Sequence, residues 1–313
     1  MVSLFATCPT PKVAPLQNCK SILGLNKQME LSILIPTYND ECYQLVSSLQ
    51  QQAAATAMSY EIVVADDGSD NEQVIAANRA INSLPHCRLI ECHENRGRAV
   101  IRNVLVQQAQ YSYLLFIDSD MKVCRPDFIL RYMEASGDVV CGGLVIGNVT
   151  NSNLRSIYEQ SKEHEHTLQM RRQRPYQDFH TANFMVRHAL MLRFPFDERF
   201  RYYGYEDVLL GKRLQQAGIV IKHIDNPLSF EIYETNEAFL NKTEEGLRTL
   251  HQFQDELQGY SRLLEFTERH PLLARMIGCW HRIAGKWERR QLSGSTPNLL
   301  LFSLYRLGYF LQL

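Results

Sequence analysis

The residues best suited to chemistry are two carboxylates placed one residue apart. Asp118 and Asp120 come directly after the apolar run Leu-Leu-Phe-Ile at 114–117. An unbroken apolar run favours a strand buried on both faces, as in a parallel sheet flanked by helices. Ligands of such sheets bind at the carboxyl ends of strands, and two repelling carboxylates there suit a hard cation such as Mg²⁺ or Mn²⁺ shared with phosphates. Taken alone, the pair fits equally well a strand end that turns two acids into water.

The preceding residues predict elements that would bring further polar loops to the same place. Strands are predicted at 31–35, 61–65, 88–91 and 113–117, alternating with helices at about 42–57, 71–82 and 98–110. This alternation indicates right-handed βαβ units and a mostly parallel, doubly wound α/β sheet. The loops 37–40 and 66–70 are therefore expected to open on the same sheet edge as the two carboxylates. No Gly-x-Gly-x-x-Gly loop is present, which argues against a nicotinamide dehydrogenase.

Composition and charge narrow the class of protein. The chain has 313 residues, of which 45% are hydrophobic and 21% charged, enough for one large domain or two ordinary ones. A formal net charge of −1 argues against a protein that coats nucleic acid. The eight cysteines form no Cys-x-x-Cys pair, so reduced thiols in a cytoplasmic enzyme are expected. Residues 1–28 read as a loosely ordered extension, with Met29 as an alternative start.

The polar segments, in this order and spacing, resemble the family 2 glycosyltransferases, which have the GT-A fold. The resemblance covers residues 31–232 and rests on five segments: Ser-Ile-Leu-Ile-Pro-Thr-Tyr-Asn from Ser32, Val-Val-Ala-Asp-Asp-Gly-Ser-Asp from Val63, Asn-Arg-Gly-Arg-Ala-Val-Ile-Arg-Asn from Asn95, Asp-Ser-Asp from Asp118 and Gly-Tyr-Glu-Asp from Gly204. It implies an inverting transfer of a sugar from a nucleoside diphosphate donor, expected to be a UDP-sugar, to a hydroxyl of a glycan or lipid-linked acceptor. The catalytic domain would span 29–235, followed by a helical region at 236–313.

The resemblance assigns donor binding to residues at the strand ends. The nucleoside would be held by Pro36, Thr37, Tyr38, Asn39 and Asp67. Asp67 would hydrogen-bond the base, Asp118 would approach the ribose or diphosphate, and Asp120, with Asp118 beside it, would bind Mn²⁺ or Mg²⁺. Arg98 and Arg102 would organise the carboxylate loops or meet phosphate, since arginine suits bidentate anion contacts. A solvated helix charge is the other interpretation of Arg102.

The resemblance places the acceptor chemistry at Glu206 and Asp207. The family pattern makes the second acid the general base, so Asp207 is predicted to take the acceptor's proton, while Glu206 binds the acceptor or orients the loop. Tyr205 offers a ring to the apolar face of a sugar. Asn183 is predicted to form the bottom of the donor-sugar pocket, with a turn or capping role as the alternative. Without the resemblance, the two acids would fit an ordinary helix amino terminus.

One departure from the family concerns the metal. Members often carry a histidine soon after the strand that follows the Glu-Asp helix, but Phe230 stands there in this chain. His223 is either a substitute ligand or an ordinary strand residue, and coordination would otherwise rest on Asp120, phosphate and water. His164 and His166, spaced by two on a predicted helix, do not face one site. The run Arg-Arg-Gln-Arg at 171–174 is either a loop that closes over the diphosphate or a solvated surface run.

In the carboxyl-terminal third, the residue pattern predicts helices outside the sheet, at 236–266 and 272–290. An apolar stripe at spacings of three and four marks the second one: Leu273, Met276, Ile277, Trp280, Ile283, Ala284 and Trp287. The cations on the same helix are Arg275, Arg282, Lys286, Arg289 and Arg290. Such a helix either lies on an anionic membrane surface or packs on the catalytic domain. The apolar stretch 299–313, interrupted by Arg306, would extend either surface.

Two rival functions follow from the same residues. A nucleotidyltransferase also uses carboxylates and metal, but it would need a glycine-rich, lysine-bearing triphosphate loop near the first strand, and the sequence has none. The other rival is a protein that binds nucleotide sugars without turnover. The presence of both Asp120 and Asp207 argues against it. The expected location is cytoplasmic, peripheral at the inner face of the cell membrane.

Overall fold

The computed structural model describes residues 29–231 and 233–313, so the interpretation of 1–28 lies outside the described residues. The strands are β1 (Glu30–Thr37), β2 (Ser59–Asp66), β3 (Cys87–Glu91), β4 (Tyr113–Ile117), β5 (Met121–Val123), β6 (Val139–Cys141), β7 (Leu144–Ile146), β8 (Asn183–Arg187), β9 (Ile221–His223) and β10 (Leu228–Phe230). The helices are α1 (Tyr43–Ala54), α2 (Glu72–Arg79), α3 (Arg98–Gln108), α4 (Phe128–Glu134), α5 (Leu154–Lys162), α6 (Leu168–Gln173), α7 (His188–Arg193), α8 (Glu206–Gln216), α9 (Asn236–Gln252), α10 (Gln254–Leu257), α11 (Arg262–Arg269), α12 (Pro271–Leu292) and α13 (Leu299–Phe310).

The main sheet explains why the polar loops converge. Among the described residues it has seven strands in the order β3-β2-β1-β4-β8-β6-β9. Strands β3, β2, β1 and β4 run parallel, whereas β8 is antiparallel to both of its neighbours. The loops after β1, β2 and β4 therefore leave the same edge. The predicted mostly parallel sheet is confirmed, and the residues 114–117 before Asp118 are fully buried in it.

Both faces of the sheet are covered by helices. Alternate residues of β1 point to opposite sides: Ile33 joins an apolar cluster with Leu49 of α1, and Leu34 joins another with Leu105 of α3. This two-sided burial is the reason that the strands read as unbroken apolar runs.

A second, smaller sheet begins immediately after the paired carboxylates. Within the described chain it has three strands in the order β5-β10-β7, with β10 antiparallel to β5 and parallel to β7. Phe230 of β10 pairs with Met121 and Ile146, so the residue that replaces the expected histidine lies in this sheet.

The carboxyl-terminal helices share a core with the part of the chain that forms the main sheet. Leu209 of α8 packs in one apolar cluster with Leu247 and Leu250 of α9, and Leu154 of α5 packs in another with Phe302 of α13. The helices predicted at 236–266 and 272–290 are observed as α9 to α11 and α12. Among the helices of the described residues, none combines the length and apolarity needed to cross a membrane.

Candidate active site

Two adjoining cavities form one cleft beyond the carboxyl ends of β1, β2 and β4. The β-loop cavity, of about 580 Å³, lies at the loops after β1 and β2. The α8 cavity, of about 430 Å³, lies at the start of α8 and against α9 and α13. Among the described residues, six line both: Arg98, Asp118, Asp120, Arg155, Tyr203 and Lys242. Asp67 lines the first cavity and Asp207 the second, so the structure brings Asp67, Asp120 and Asp207 to one cleft.

Asp67 holds the turn that begins α3. Its Oδ1 accepts a hydrogen bond from the backbone N–H of Arg96 at 3.0 Å, and its Oδ2 accepts one from Gly97 at 2.9 Å. Gly97 has φ +95°, and a Cβ there would lie 2.3 Å from the carbonyl oxygen of Arg201, so only glycine fits. Burial raises the pKa of Asp67. Its contact with a nucleotide base stays a prediction.

Asn39 ties the loop after β1 to the loop after β2. Its Oδ1 accepts from the backbone N–H groups of Asp70 at 3.1 Å and Asn71 at 3.0 Å, and its own N–H donates to the hydroxyl of Ser69 at 2.7 Å. The left-handed backbone of Asn39, with φ 51°, allows these bonds. The predicted turn residues Pro36, Thr37, Tyr38 and Asn39 all line the β-loop cavity.

Arg98 and Arg102, one turn apart on α3, bridge two acids from distant parts of the chain. The Nη2 of Arg102 donates to Oδ1 of Asp118 at 2.6 Å, and Nη2 of Arg98 donates to Oδ2 at 3.1 Å. Nε of Arg98 and Nη1 of Arg102 also donate to Oε1 of Glu206, at 3.0 and 3.4 Å. Because Arg102 is only 1% exposed, its interpretation as a solvated helix charge is wrong. Both arginines organise the carboxylate loops.

The paired carboxylates differ in their electrostatic surroundings. Burial alone would raise the pKa of Asp118, but the guanidinium groups of Arg102 and Arg98 outweigh it and lower that pKa. Burial, together with repulsion by Asp118, raises the pKa of Asp120 to about 6. Both oxygens of Asp118 are hydrogen-bonded, whereas Oδ1 of Asp120 is buried without a hydrogen-bond partner. Asp120 is thus the member of the pair with an oxygen that has no hydrogen-bond partner.

A divalent cation fits the unpaired oxygen of Asp120. Oδ2 of Asp40, which lines the same β-loop cavity, is likewise buried without a partner, and burial raises the pKa of Asp40. Carboxylate oxygens of this kind are ligands that Mg²⁺ and Mn²⁺ prefer. In the part of the chain that the structure describes, no group of three or more His, Cys, Asp or Glu side chains could hold a metal by itself. Protein ligation would therefore be sparse.

His223 does not serve as a substitute ligand. Its Nδ1 accepts from Nη1 of Arg171 at 3.1 Å, and its Nε2–H donates to the carbonyl of Pro175 at 2.9 Å. The side chain is buried in β9 and lines neither cavity of the cleft. Phe230, at the expected histidine position, carries the guanidinium of Arg155 at 4.2 Å from its ring centre.

Asp207 has a partner that the sequence prediction did not name. Its Oδ2 lies 3.8 Å from Nδ1 of His180, while its Oδ1 accepts from the backbone N–H of Val208 at 2.8 Å. Burial alone would raise the pKa of Asp207, but His180 lowers it. Burial alone would lower the pKa of His180, but Asp207 raises it. The predicted general base therefore sits beside an imidazole that favours its charged form.

Tyr205 and Glu206 hold the loop before Asp207. Tyr205 caps α8 with a left-handed backbone, φ 70°, which is uncommon for a tyrosine and typical of functional loops. It lines the α8 cavity. Glu206 is buried and held by both arginines of α3, so of its two predicted roles the contacts favour orienting the loop.

Asn183 does not lie in the cleft. Its Nδ2 donates to the carbonyls of Gly143 at 2.8 Å and Asn226 at 2.9 Å, and its Oδ1 accepts from the hydroxyl of Tyr132 at 2.7 Å. The side chain is 1% exposed and its hydrogen-bonding capacity is used. It holds the backbone after β6, in line with the alternative turn role, and the preceding Ala182 lines the α8 cavity instead.

The basic run at 171–174 fits neither of its predicted roles at its first residue. Arg171 is buried, and its guanidinium donates to the carbonyls of Gly142 and Ile224 at 3.3 and 3.1 Å, so it fastens β6 to β9. His164 is exposed, and the ring of His166 packs 5.3 Å from that of His180. Separate surroundings for the two histidines agree with the prediction that they do not share a site.

Arg155 is a functional candidate that the sequence prediction did not include, as is Lys242. Arg155 lies on α5, outside the quoted segments, and lines both cavities. Its Nη1 donates to Oε2 of Glu234 at 2.7 Å, and its charge acts on both Asp118 and Asp120. No local spacing marks this residue, because α5 reaches the cleft only through the fold.

Comparison with known proteins identifies the family. A family model described as Glycosyl transferase family 2 matches residues 32–200, more than half of the chain. The chain belongs to this family, and the predicted GT-A fold is confirmed. Among solved structures, the mannosyltransferase PcManGT from Pyrobaculum calidifontis, in complex with GDP-Man and Mn²⁺, has a TM-score of 0.54 at 14% identity and covers 91% of this chain and 85% of that chain.

Two curated relatives match this chain over very different lengths. The uncharacterized glycosyltransferase YfnE of Bacillus subtilis is 25% identical in a match that covers 71% of this chain and 72% of the relative. An uncharacterized glycosyltransferase of Haemophilus influenzae is 33% identical over 93 residues, 29% of this chain. That match spans only 36% of the length of the Haemophilus relative.

Proposed function

We propose that the chain is an inverting glycosyltransferase that moves a sugar from a nucleoside diphosphate-sugar, expected to be a UDP-sugar, to a hydroxyl group of a glycan or lipid-linked acceptor. The observation that carries this proposal is the shared cleft of Asp67, Asp120 and Asp207, with the donor-side acids in the β-loop cavity and Asp207 in the adjoining α8 cavity. Donor and acceptor would meet where the two cavities join.

The donor would enter the β-loop cavity. Asp67 and the residues 36–39 would contact the nucleoside, and the diphosphate would lie near Arg98, which is the less buried arginine of the α3 pair. Arg155 and Lys242, which line both cavities, would add positive charge around it. Positive charge there would stabilise the diphosphate as it leaves.

The acceptor would enter the α8 cavity, where Asp207 faces it. The acceptor oxygen would attack the anomeric carbon opposite the diphosphate, forming the new glycosidic bond as the bond to the diphosphate breaks. Asp207 would take the hydroxyl proton, and His180 would hold the carboxylate in place and charged. Glu206 would position this loop through its two arginines rather than react.

Asp120 would hold a divalent cation, with Asp40 as a second unpaired carboxylate in the same cavity. A bound Mn²⁺ or Mg²⁺ would supply Lewis-acid stabilisation of the leaving diphosphate. Since Asp118 is already hydrogen-bonded by two arginines, its predicted share in the metal site is the smaller one. Dependence on the metal is expected to be loose.

The location is part of the proposal: a cytoplasmic enzyme, peripheral at the inner face of the cell membrane, that extends a surface glycan or its lipid-linked precursor. Nucleotide sugars and lipid-linked acceptors would meet at that face.

The test combines ligand binding with turnover. The full chain is screened by thermal shift against UDP-sugars and GDP-mannose with Mn²⁺, because a ligand stabilises the state that it binds. Release of nucleoside diphosphate then measures turnover. Asp207→Asn should keep the nucleotide-sugar shift but reduce turnover about 10³-fold, a loss typical of a removed general base.

Asp225→Asn, an exposed acid outside the cleft, is the matched control and should remain active. Full activity of Asp207→Asn would remove this residue from the mechanism. Stabilisation by nucleotide sugars without turnover in the unchanged protein would instead support the binding-protein rival.

A further inference from the structure

Helix α12 has a buried face made of small and paired residues. Ala274, Gly278 and Ala284 are buried, and Gly278 packs against Leu311 beyond α13. His281 on the same face donates its Nδ1–H to Oε2 of Glu288 at 2.6 Å. Glu288 is the only acid on this helix and is fully buried. Leu292, at the end of the helix, is also fully buried, and the indole N–H of Trp280 donates to Oε1 of Glu288 at 2.7 Å. Apart from Leu292, the buried face of α12 uses small and paired residues rather than large apolar ones.

Five large apolar side chains lie on the opposite face, and each is more than half exposed. They are between 51% and 86% exposed, and they are Leu272, Met276, Trp280, Ile283 and Trp287. Their spacing of three and four residues places them in one stripe along the helix. The predicted packing on the rest of the protein holds for the helix itself and for Ala284 of the predicted stripe, which is buried. It does not account for the exposed Met276, Ile283 and Trp287.

A row of cations lies beside the apolar stripe. Arg275, Arg282 and Lys286 follow a helical spacing next to it, and Arg290 extends the positive charge at the end of the helix. All four are exposed, and none forms an ion pair with any residue that the structure describes. With Glu288 buried, the exposed surface of α12 carries only positive charge. An apolar stripe flanked by unpaired cations fits the interface of an anionic bilayer.

We propose that this face of α12 docks the protein on an anionic lipid surface, with the helix lying in the plane of the headgroups. Trp280 and Trp287 would anchor it at that depth, since indole rings favour the interface. A second copy of the chain fits less well: an isologous dimer through this stripe would bring two rows of like charges together. The inference deepens the location in the proposed function but uses a surface outside the cleft.

The experiment is co-sedimentation of the full chain with vesicles of phosphatidylcholine alone or mixed with phosphatidylglycerol. We expect binding to the anionic vesicles that weakens at high salt, because screening removes the charge contribution. Ile283→Ser should reduce partition by at least about tenfold, the value of burying such a side chain. Arg275→Gln combined with Arg282→Gln should reduce it by about fivefold for each charge.

Matched controls carry the same changes elsewhere. Val220→Ser alters a similarly exposed apolar residue, and Arg193→Gln with Lys222→Gln removes two exposed cations outside α12; neither should alter partition. The docking face is overturned if the unchanged protein ignores anionic vesicles, if controls and α12 variants behave alike, or if Ile283→Ser abolishes a stable dimer instead. Nucleoside diphosphate release without vesicles should be equal in all variants, so failure here is distinguishable from failure of the transferase proposal.

Discussion

The Nδ1 of His180 lies 3.8 Å from Oδ2 of Asp207. This contact joins the loop before β8 to the first turn of α8. The two residues are far apart in sequence, and each shifts the other toward its charged form. Asp207 is thereby kept deprotonated in a buried site that would otherwise favour the neutral acid. The histidine would set the lowest pH at which the predicted base can work.

His180→Gln should therefore move the acidic limb of the pH profile of kcat/KM to higher pH. Removing the imidazole takes away the main influence that lowers the pKa of Asp207, and burial then raises it. Activity should fall most at acidic pH and least at alkaline pH. His188→Gln, a histidine outside the cleft, serves as the control. An unmoved limb in His180→Gln would show that the pair does not govern the base.

Arg102→Met should destabilise the fold strongly. The change leaves the carboxylates of Asp118 and the buried Glu206 with Arg98 as the ion-pair partner that they share. Breaking a buried ionic network in this way costs about 3–5 kcal/mol in the free energy of unfolding. Denaturant unfolding measures it. Arg79→Met, which breaks the exposed pair with Glu91, should leave that free energy nearly unchanged, and equal effects of the two variants would contradict a structural role for Arg102.

Asp120→Asn should separate metal binding from stability. Without divalent cation, the variant should be more stable than the unchanged protein at pH 7, by about 1–3 kcal/mol, because a buried carboxylate whose pKa is raised to about 6 loses its charge penalty. With UDP present, the added thermal stabilisation from Mn²⁺ should disappear. If Asp118 and Asp120 are only a solvent-exposed strand end, Asp120→Asn should change neither quantity. Unchanged stability and an unchanged effect of Mn²⁺ would therefore favour that interpretation.

His223 should make the fold sensitive to mild acid. Burial, reinforced by Arg171, lowers the pKa of His223 from its ordinary value of 6.5 to about 4. The unfolded chain therefore binds a proton before the folded one does, and this contribution is present above pH 6.5 and lost as pH falls toward 4. The loss amounts to at most about 3 kcal/mol. His223→Gln should flatten the free energy of unfolding across that interval, whereas the exposed His93→Gln should retain the slope.

The sequence alone determined the frame of the site. Apolar runs such as 114–117 specify strands buried on both faces, and their alternation with helices specifies a parallel order in which strand ends share one edge. The sequence pattern is therefore sufficient to predict that Asp67 and Asp120 lie in one cleft. The five polar segments, taken in their order and spacing, also sufficed to predict the family and the fold that the comparisons confirm.

Only the tertiary structure decided which side chains pair within that frame. The burial of Arg102 against Asp118, the contact of His180 with Asp207 and the inward position of Asn183 each join segments that are distant in sequence. Local periodicity also could not tell which face of α12 is covered. Its small residues, together with Leu292 at its end, pack on the rest of the fold, and that leaves Met276, Ile283 and Trp287 in solvent. Hydrophobicity specifies that a face should be buried, but the partner that buries it depends on the shape of the whole fold.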